Sequence, residues 1–209
     1  IPDNLDSHGW YLLLANHQSW VDILVLHKVF KRRIPFLKFF LKNELIWLPF
    51  LGVAWWALDF PFMRRYSKDF LIKHPHLKGR DIETTRKACE KFKNMPVSIM
   101  NFVEGTRFSK KKNAIKGSPY NNLLKPRAGG VAFVLSAMQD SINTILDVTI
   151  VYPEGNPTFW KFLSGRIKRV VVVVEEIRID EKLRGDYIND NEFKSFFYKW
   201  INDLWKRKD

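Results

Sequence analysis

A histidine and an aspartate five residues apart are the first side chains in this sequence whose types suggest acid–base chemistry. His17 and Asp22 lie in the polar stretch Asn-His-Gln-Ser-Trp-Val-Asp at residues 16–22. If one ring nitrogen of His17 donates a hydrogen bond to the Asp22 carboxylate, the other ring nitrogen stays basic. Such a pair would be a general base with an orienting carboxylate.

The elements around this pair are predicted to position both side chains. The apolar run at residues 10–15 predicts a buried strand, and residues 19–31 predict a helix that begins near Ser19. With Ser19 as the N-cap, Asp22 occupies the third helical position and its carboxylate points back toward His17. In the alternative, Ser19 and Asp22 form only a capping box and His17 is a turn residue. The spacing alone favours this simpler alternative, because short motifs often match by chance.

A second polar cluster follows another predicted strand, at residues 97–103. Gly105 permits a tight turn there, and Thr106 and Arg107 supply hydrogen-bond donors for an anion. Glu104 can hold an arginine in position. The end of this strand is therefore a candidate anion-binding loop.

A pair of arginines, Arg64 and Arg65, directly follows the apolar segment that ends at Met63. Paired guanidinium donors can clamp a phosphate, or the two side chains can simply lie on a solvated surface. Taken alone, the pair favours the surface interpretation.

The run at residues 45–58 has no charged residue and contains three tryptophans, Trp47, Trp55 and Trp56. It is too short to span a bilayer and is interrupted by Pro49 and Gly52. Its composition is compatible both with ordinary core and with a membrane interface, where tryptophan is enriched.

Strands that alternate with helices along the chain predict an α/β fold: a single domain over residues 1–209, with a central mostly parallel or mixed sheet covered by helices on both faces. Because the sequence starts at Ile1 rather than Met, we expect an N-terminal segment such as a membrane anchor to be missing from it. The C-terminal segment predicts an amphipathic helix with a broad aromatic face, and packing of that face on the sheet is favoured over membrane insertion. The face comprises Phe193, Phe196, Phe197, Trp200, Ile201, Leu204 and Trp205.

Lysine and arginine outnumber aspartate and glutamate by 35 to 22, which gives a net charge of +13, and 15% of the residues are aromatic. This composition suits an anionic membrane surface and also single-stranded nucleic acid, and does not separate them. The sole cysteine, Cys89, excludes an internal disulfide and a thiolate metal cage. We expect it to be a small core residue, and we expect no metal site.

Three blocks in order resemble the lysophospholipid acyltransferase family, which includes the 1-acyl-glycerol-3-phosphate acyltransferases and is called PlsC-like. Residues 16–22 match its N-H-x-x-x-x-D block, Phe62-Met63-Arg64-Arg65 its arginine block, and residues 102–107 its E-G-T-R block. The resemblance covers residues 10–153. Thr149 stands where the family commonly has proline, which is similar to the lysocardiolipin acyltransferase branch. Arg64 stands where an acidic residue is common, so the acceptor lipid is left open.

The resemblance implies the glycerolipid acyltransferase fold and transfer of a fatty acyl group from acyl-CoA or acyl carrier protein to a lysophospholipid hydroxyl. The first acceptor to consider is 1-acyl-glycerol-3-phosphate, which would give phosphatidic acid; lysophosphatidylglycerol and lysocardiolipin are alternatives. His17 would act as the base and Asp22 would fix its tautomer, without an acyl-enzyme. Lys42 and Arg64 would add positive charge near the acceptor phosphate. The family's phosphate contacts fall on Arg65, Glu104, Gly105, Thr106 and Arg107.

The resemblance also implies the partners and the location of the protein. We expect a lysophospholipid, an acyl donor and an anionic membrane surface as partners, no cofactor and no nucleic acid. The expected location is the cytoplasmic face of a bacterial inner membrane or an organelle membrane. Two alternatives remain: a basic, aromatic nucleic-acid-binding protein, which would leave the three blocks unexplained, and an inactive membrane-bound relative with the same fold.

Overall fold

The computed structural model describes residues 1–60, 62–63, 83, 86–87 and 89–209. A five-stranded sheet has the order β2-β5-β1-β6-β7. The first four of these strands are parallel, and β7 is antiparallel to β6. A separate parallel pair joins β3 to β4. The strands are β1 Trp10–Ala15, β2 Leu37–Phe39, β3 Leu41–Lys42, β4 Phe62–Met63, β5 Val97–Phe102, β6 Thr144–Val151 and β7 Val171–Arg178.

Bounds can be given for six α-helices within the described residues, together with short 3₁₀ turns at Asn43–Trp47 and Glu181–Leu183. The longest is the C-terminal helix, whose N-cap Asp190 accepts hydrogen bonds from two backbone amides of the first turn. No described helix is both long enough and apolar enough to cross a membrane. The helices are α1 Val21–Phe30, α2 Leu51–Ala57, α3 Lys110–Lys116, α4 Ala128–Ala137, α5 Phe159–Leu163 and α6 Asn191–Lys208.

The alternation of side chains along β1 separates two cores, one on each face of the sheet. Leu12 and Leu14 pack with residues of α4 and α6 on one face. Tyr11, Leu13 and Ala15 pack with residues of α1 on the other. The predicted mixed α/β sheet covered on both faces is therefore confirmed.

The predicted aromatic face of the C-terminal helix packs into the first of these cores, except for Phe196, which is 43% exposed. Phe197, Ile201, Leu204 and Trp205 are all buried there. Cys89 is buried in the same core, as expected of a small core residue. Burial raises the pKa of its thiol to about 12, so the thiolate is disfavoured.

The uncharged run at residues 45–58 is not core, so that one of its two interpretations is wrong. It forms a 3₁₀ turn followed by α2, and it leaves Trp47 and Phe50 84% and 89% exposed. Trp56 is also largely exposed. The absence of charge in this run therefore marks an apolar surface, and the interface interpretation stays open.

Candidate functional site

The carboxyl ends of the three central strands bring the predicted polar clusters to one edge of the sheet. In the parallel register, Ala15 lies opposite Phe102 of β5 and opposite Val148 of β6. The loops that follow these strands carry His17, the Glu104–Arg107 segment and Tyr152. This edge is where open parallel sheets commonly hold ligands.

His17 and Asp22 are hydrogen-bonded, with 2.9 Å between Nδ1 and Oδ2. The same Oδ2 accepts the backbone N–H groups of Gln18 at 2.6 Å and Ser19 at 2.9 Å, so it is an acceptor and Nδ1 must be the donor. The Asp22 carboxylate is fully buried, and the His17 side chain is 15% exposed. Nε2 forms no hydrogen bond with the described residues and is therefore the basic nitrogen of the pair.

The start of α1 differs from the predicted capping arrangement by one residue, because Trp20 rather than Ser19 occupies the N-cap position. The helix begins at Val21, and the Ser19 hydroxyl accepts the Val21 N–H at 3.2 Å while it donates to the Pro157 carbonyl at 2.7 Å. The prediction placed Ser19 as an ordinary N-cap with Asp22 at the third helical position. Trp20 already has helical φ and ψ angles, and the Ser19 hydroxyl still accepts a bond from an amide of the first turn. Asp22 still reaches back over the first turn.

Tyr152 completes the surroundings of Asp22 and was missed by the sequence analysis. Its hydroxyl donates to Asp22 Oδ1 at 2.6 Å. Burial, and next the neighbouring Asp22 charge, raise the pKa of this phenol above its ordinary value, so it stays a donor. The available signal was a polar aromatic residue at the end of an apolar strand, just before Pro153.

Asn16 explains how β6 delivers Tyr152 to this place. Its side-chain amide donates to the Ile150 carbonyl at 2.9 Å, and its Oδ1 accepts the Ile150 N–H at 2.8 Å. This buried pair of bonds continues the β1–β6 ladder by one residue. It fixes the His17 loop against the end of β6.

The imidazole of His17 is also held on its flat side. It stacks on Phe102, with 3.9 Å between ring centroids and 15° between planes. The His17 carbonyl accepts the Phe108 N–H at 2.7 Å. The ring therefore has a fixed orientation before any substrate is present.

Glu104 lies under the loop and is not exposed to a substrate. One carboxylate oxygen accepts the His17 N–H at 3.4 Å and the other accepts the Leu124 N–H at 3.1 Å. Burial raises the pKa of this carboxyl to about 7, although both amide bonds and the positive charge of Lys208 act in the opposite direction. Any effect of Glu104 on a substrate would pass through the backbone it holds.

The Gly105–Arg107 turn presents donors beside the His17 loop. Gly105 has φ +68°, and a Cβ there would lie 3.0 Å from Cδ of Arg127. Thr106 Oγ1 accepts a hydrogen bond from Nζ of Lys112 at 3.0 Å. The Arg107 guanidinium lies over the Trp20 ring, 4.8 Å from its centroid. Lys112 was not among the predicted site residues, and its contact with Thr106 adds a cation to this turn.

Three of the predicted site groups cannot be placed. Arg64 and Arg65 lie outside the described residues, and so does the side chain of Lys42.

A buried ion pair lies behind the site. Nζ of Lys208, in the last turn of α6, is 2.6 Å from Oδ1 of Asp147. Nζ also donates to the carbonyls of Val148 at 2.8 Å and Leu14 at 3.3 Å, on the two strands that carry the site. Burial lowers the pKa of Lys208 and raises that of Asp147, and the pairing opposes both shifts. The end of α6 is thereby fastened to β1 and β6.

Metal ligands do not gather in the described residues: no group of three histidine, cysteine, aspartate or glutamate side chains there could hold an ion.

The fold and this edge define an α/β protein with a buried His–Asp pair beside a basic loop. Its architecture matches the crystal structure of the 1-acyl-sn-glycerophosphate acyltransferase PlsC from Thermotoga maritima with a TM-score of 0.51 and 19% identity. The match covers 99% of this chain and 69% of that one. The shared feature is the fold.

The Acyltransferase family profile matches residues 1–153, so the chain belongs to that family. Over 95% of its length it is 26% identical to 1-acyl-sn-glycerol-3-phosphate acyltransferase 3 of Arabidopsis thaliana. Over 95% of its length it is also 24% identical to 1-acyl-sn-glycerol-3-phosphate acyltransferase delta of Mus musculus. The probable 1-acyl-sn-glycerol-3-phosphate acyltransferase 5 of Arabidopsis thaliana is 31% identical over 78% of this chain. The chain spans about half the length of these relatives, from 44% to 51%.

Proposed function

We propose that this protein transfers a fatty acyl group from a thioester donor to the free hydroxyl of a lysophospholipid. The observation that carries the proposal is the bond between His17 Nδ1 and Asp22 Oδ2. In the neutral imidazole this bond places the ring proton on Nδ1, so Nε2 is the nitrogen that can accept a proton from a hydroxyl at this edge of the sheet. Membership of the Acyltransferase family supports the same reaction class.

The proposed reaction is a direct displacement at the thioester carbonyl. Nε2 of His17 takes the proton of the acceptor hydroxyl as its oxygen forms a bond to the acyl carbon. The C–S bond then breaks, and the thiolate leaves and is protonated by the imidazolium. Asp22 stabilises the imidazolium, and its two backbone amide bonds and the Tyr152 bond keep its carboxylate in place.

No acyl-enzyme is needed in this scheme. Two hydroxyl side chains lie next to the pair, and both are already used: Ser19 is buried and bonds Val21 and Pro157, and Tyr152 donates to Asp22. We therefore propose that the donor reacts with the acceptor directly. Acyl-CoA or acyl carrier protein would serve as the donor, and no cofactor takes part.

The acceptor phosphate is proposed to bind at the Gly105–Arg107 turn. Arg107 offers paired donors, and Lys112 adds a third cationic donor through its position on Thr106. Positive φ at Gly105 aims the turn, and Glu104 supports it from below. From the family resemblance, Arg64, Arg65 and Lys42 would complete the phosphate site.

The acceptor favoured by the named relatives is 1-acyl-glycerol-3-phosphate, which would give phosphatidic acid. Lysophosphatidylglycerol and lysocardiolipin are the alternatives, because Thr149 stands where proline is common in the family.

We place the protein at an anionic membrane surface, on its cytoplasmic face. The exposed aromatic residues Trp47, Phe50 and Trp56 suit the interfacial zone, and the net charge of +13 suits anionic lipid. The acyl chains of both substrates would then reach the site from the bilayer.

The test offers acyl-CoA with each lysophospholipid in turn and identifies the acylated product by mass spectrometry. We expect the product of 1-acyl-glycerol-3-phosphate to form fastest. To check the direct displacement, the protein is incubated with the acyl donor alone and its intact mass is measured. A protein that gains one acyl group, and then passes it to the acceptor, would contradict direct displacement. Turnover with none of the acceptors would overturn the proposed function.

A further inference from the structure

A second basic surface lies on the other side of β1 from the Gly105–Arg107 turn. It is a concavity of about 230 Å³ in the segment between β6 and β7. Because β5 and β6 flank β1, this concavity and the proposed acceptor site stand on opposite sides of the His17 loop.

The chemistry of the concavity is cationic. Lys161, Arg166 and Arg169 line it together with a single acidic residue, Glu154. None of the salt bridges found within the described part of the chain involves these three cations. Unpaired arginines around a concave surface are suited to a phosphate, which accepts their paired donors.

The concavity is in contact with the candidate catalytic pair. Tyr152 lines it, and the hydroxyl of the same residue bonds Asp22. Pro157, also in the lining, accepts the hydrogen bond of Ser19. Asn156 beside it donates to Gln18 Oε1 at 2.9 Å. A group bound here would lie one side chain away from Asp22.

Exposed apolar residues lie next in sequence to Lys161, which lines the concavity. On the short helix α5, Trp160 is 76% exposed, and Phe159 and Leu163 also face solvent. A phosphate carried on a molecule with an apolar part matches this combination of charge and exposed rings.

We propose that this concavity binds a second phosphate group, distinct from the acceptor phosphate. The inference rests on the proposed function, since a reaction between a phosphorylated acceptor and a donor of the coenzyme A type brings two phosphorylated molecules to one edge. The phosphate would come either from the nucleotide part of the donor or from a bilayer phospholipid headgroup.

The experiment measures binding, so it does not depend on turnover. The double variant Arg166→Gln/Arg169→Gln removes two charges from the concavity. The matched control, Lys182→Gln/Lys199→Gln, removes two exposed charges elsewhere on the surface. Coenzyme A is titrated into each protein by calorimetry, and cosedimentation measures binding to vesicles of phosphatidylglycerol and phosphatidylcholine.

We expect the concavity variant to bind one of the two probes about tenfold more weakly, as for the loss of a charge-assisted hydrogen bond, and the control to match the wild type. Weaker binding of coenzyme A assigns the donor as the source, and weaker binding of vesicles assigns the headgroup. If both probes bind the variant and the control equally, or bind none of the proteins, the second site is refuted. A protein that shows the tenfold difference but transfers no acyl group refutes the proposed function and leaves this site standing.

Discussion

The hydroxyl of Tyr152 lies 2.6 Å from Oδ1 of Asp22, across 130 residues of sequence. The two oxygens of the carboxylate therefore have separate partners: Oδ1 accepts from Tyr152, and Oδ2 accepts from His17 and two backbone amides. A carboxylate fixed at both oxygens cannot rotate away from the imidazole. Tyr152 is thus a positioning residue for His17.

Removal of the Tyr152 hydroxyl should lower kcat with little change in KM. In Tyr152→Phe, Asp22 keeps its bond to His17 but loses a buried donor, so we expect kcat to fall about tenfold. Steady-state rates of thiol release give both constants. Tyr120→Phe is the matched control, because Tyr120 is also buried and its hydroxyl bonds Asn202, away from the site. An equal fall in both variants would contradict the positioning role.

The stacking of Arg107 on Trp20 should affect the KM for the acceptor and not the KM for the donor. We expect Trp20→Leu to raise the KM for a phosphorylated acceptor about threefold, as for an exposed cation–π contact, and Arg107→Gln to raise it at least tenfold. Because Trp20 acts through Arg107, the double variant should match Arg107→Gln alone. The KM for the acceptor is measured for the wild type, the two single variants and the double variant, which together form a double-mutant cycle. Multiplying effects would show that Trp20 acts independently.

Glu104 should make folding stability depend on pH. Its pKa is about 7 in the folded protein and 4.5 ordinarily, because burial disfavours the charged form. The folded state therefore holds the proton more tightly than the unfolded chain. The stability of the wild type relative to Glu104→Gln should be highest below pH 4.5 and fall between pH 4.5 and 7, by about 3 kcal/mol in total, then stay level.

Urea unfolding of both proteins across this range measures the difference. The comparison cancels the titration of other groups, and Gln keeps the size of the side chain. A difference that grows in favour of the wild type as pH rises would mean that the pKa of Glu104 is lowered instead.

Removing one partner of the Lys208–Asp147 ion pair should destabilise the fold strongly, whereas replacing both partners should destabilise it little. Lys208→Met leaves the Asp147 carboxylate buried without its partner, so we expect a loss of about 3–5 kcal/mol in the free energy of unfolding. Adding Asp147→Val should recover most of that loss. The control is Lys206→Met, at an exposed lysine two residues earlier in α6. It should change the free energy of unfolding by less than about 0.5 kcal/mol. Equal effects of the two lysine variants would contradict a structural role for the pair.

The sequence predicted features that depend on local pattern. Apolar runs predicted β1 and β5, and the aromatic spacing of α6 predicted that most of its apolar face packs on the sheet. The five-residue separation of His17 and Asp22 was compatible with their hydrogen bond, because a helix start turns the later side chain back over the earlier residues. The spacing alone favoured a simple capping box, and the resemblance of the three blocks favoured the pair.

What the sequence could not show depends on partners distant in the chain. The register between β1 and β6 brings Tyr152 to Asp22, and no local pattern encodes that register. The bond from Ser19 to Pro157 likewise joins residues that are far apart in the sequence. The run at residues 45–58 was ambiguous because an uncharged segment looks alike whether it faces a core or a membrane.

The central claim is that His17 is the base for acyl transfer. The most direct measurement compares wild type and His17→Ala in transfer of acyl groups from acyl-CoA to 1-acyl-glycerol-3-phosphate, with the fold of both checked by circular dichroism. We expect the variant to lose about 10²–10⁴-fold in rate, which is the usual contribution of a general base. Equal rates for the two folded proteins would contradict the claim.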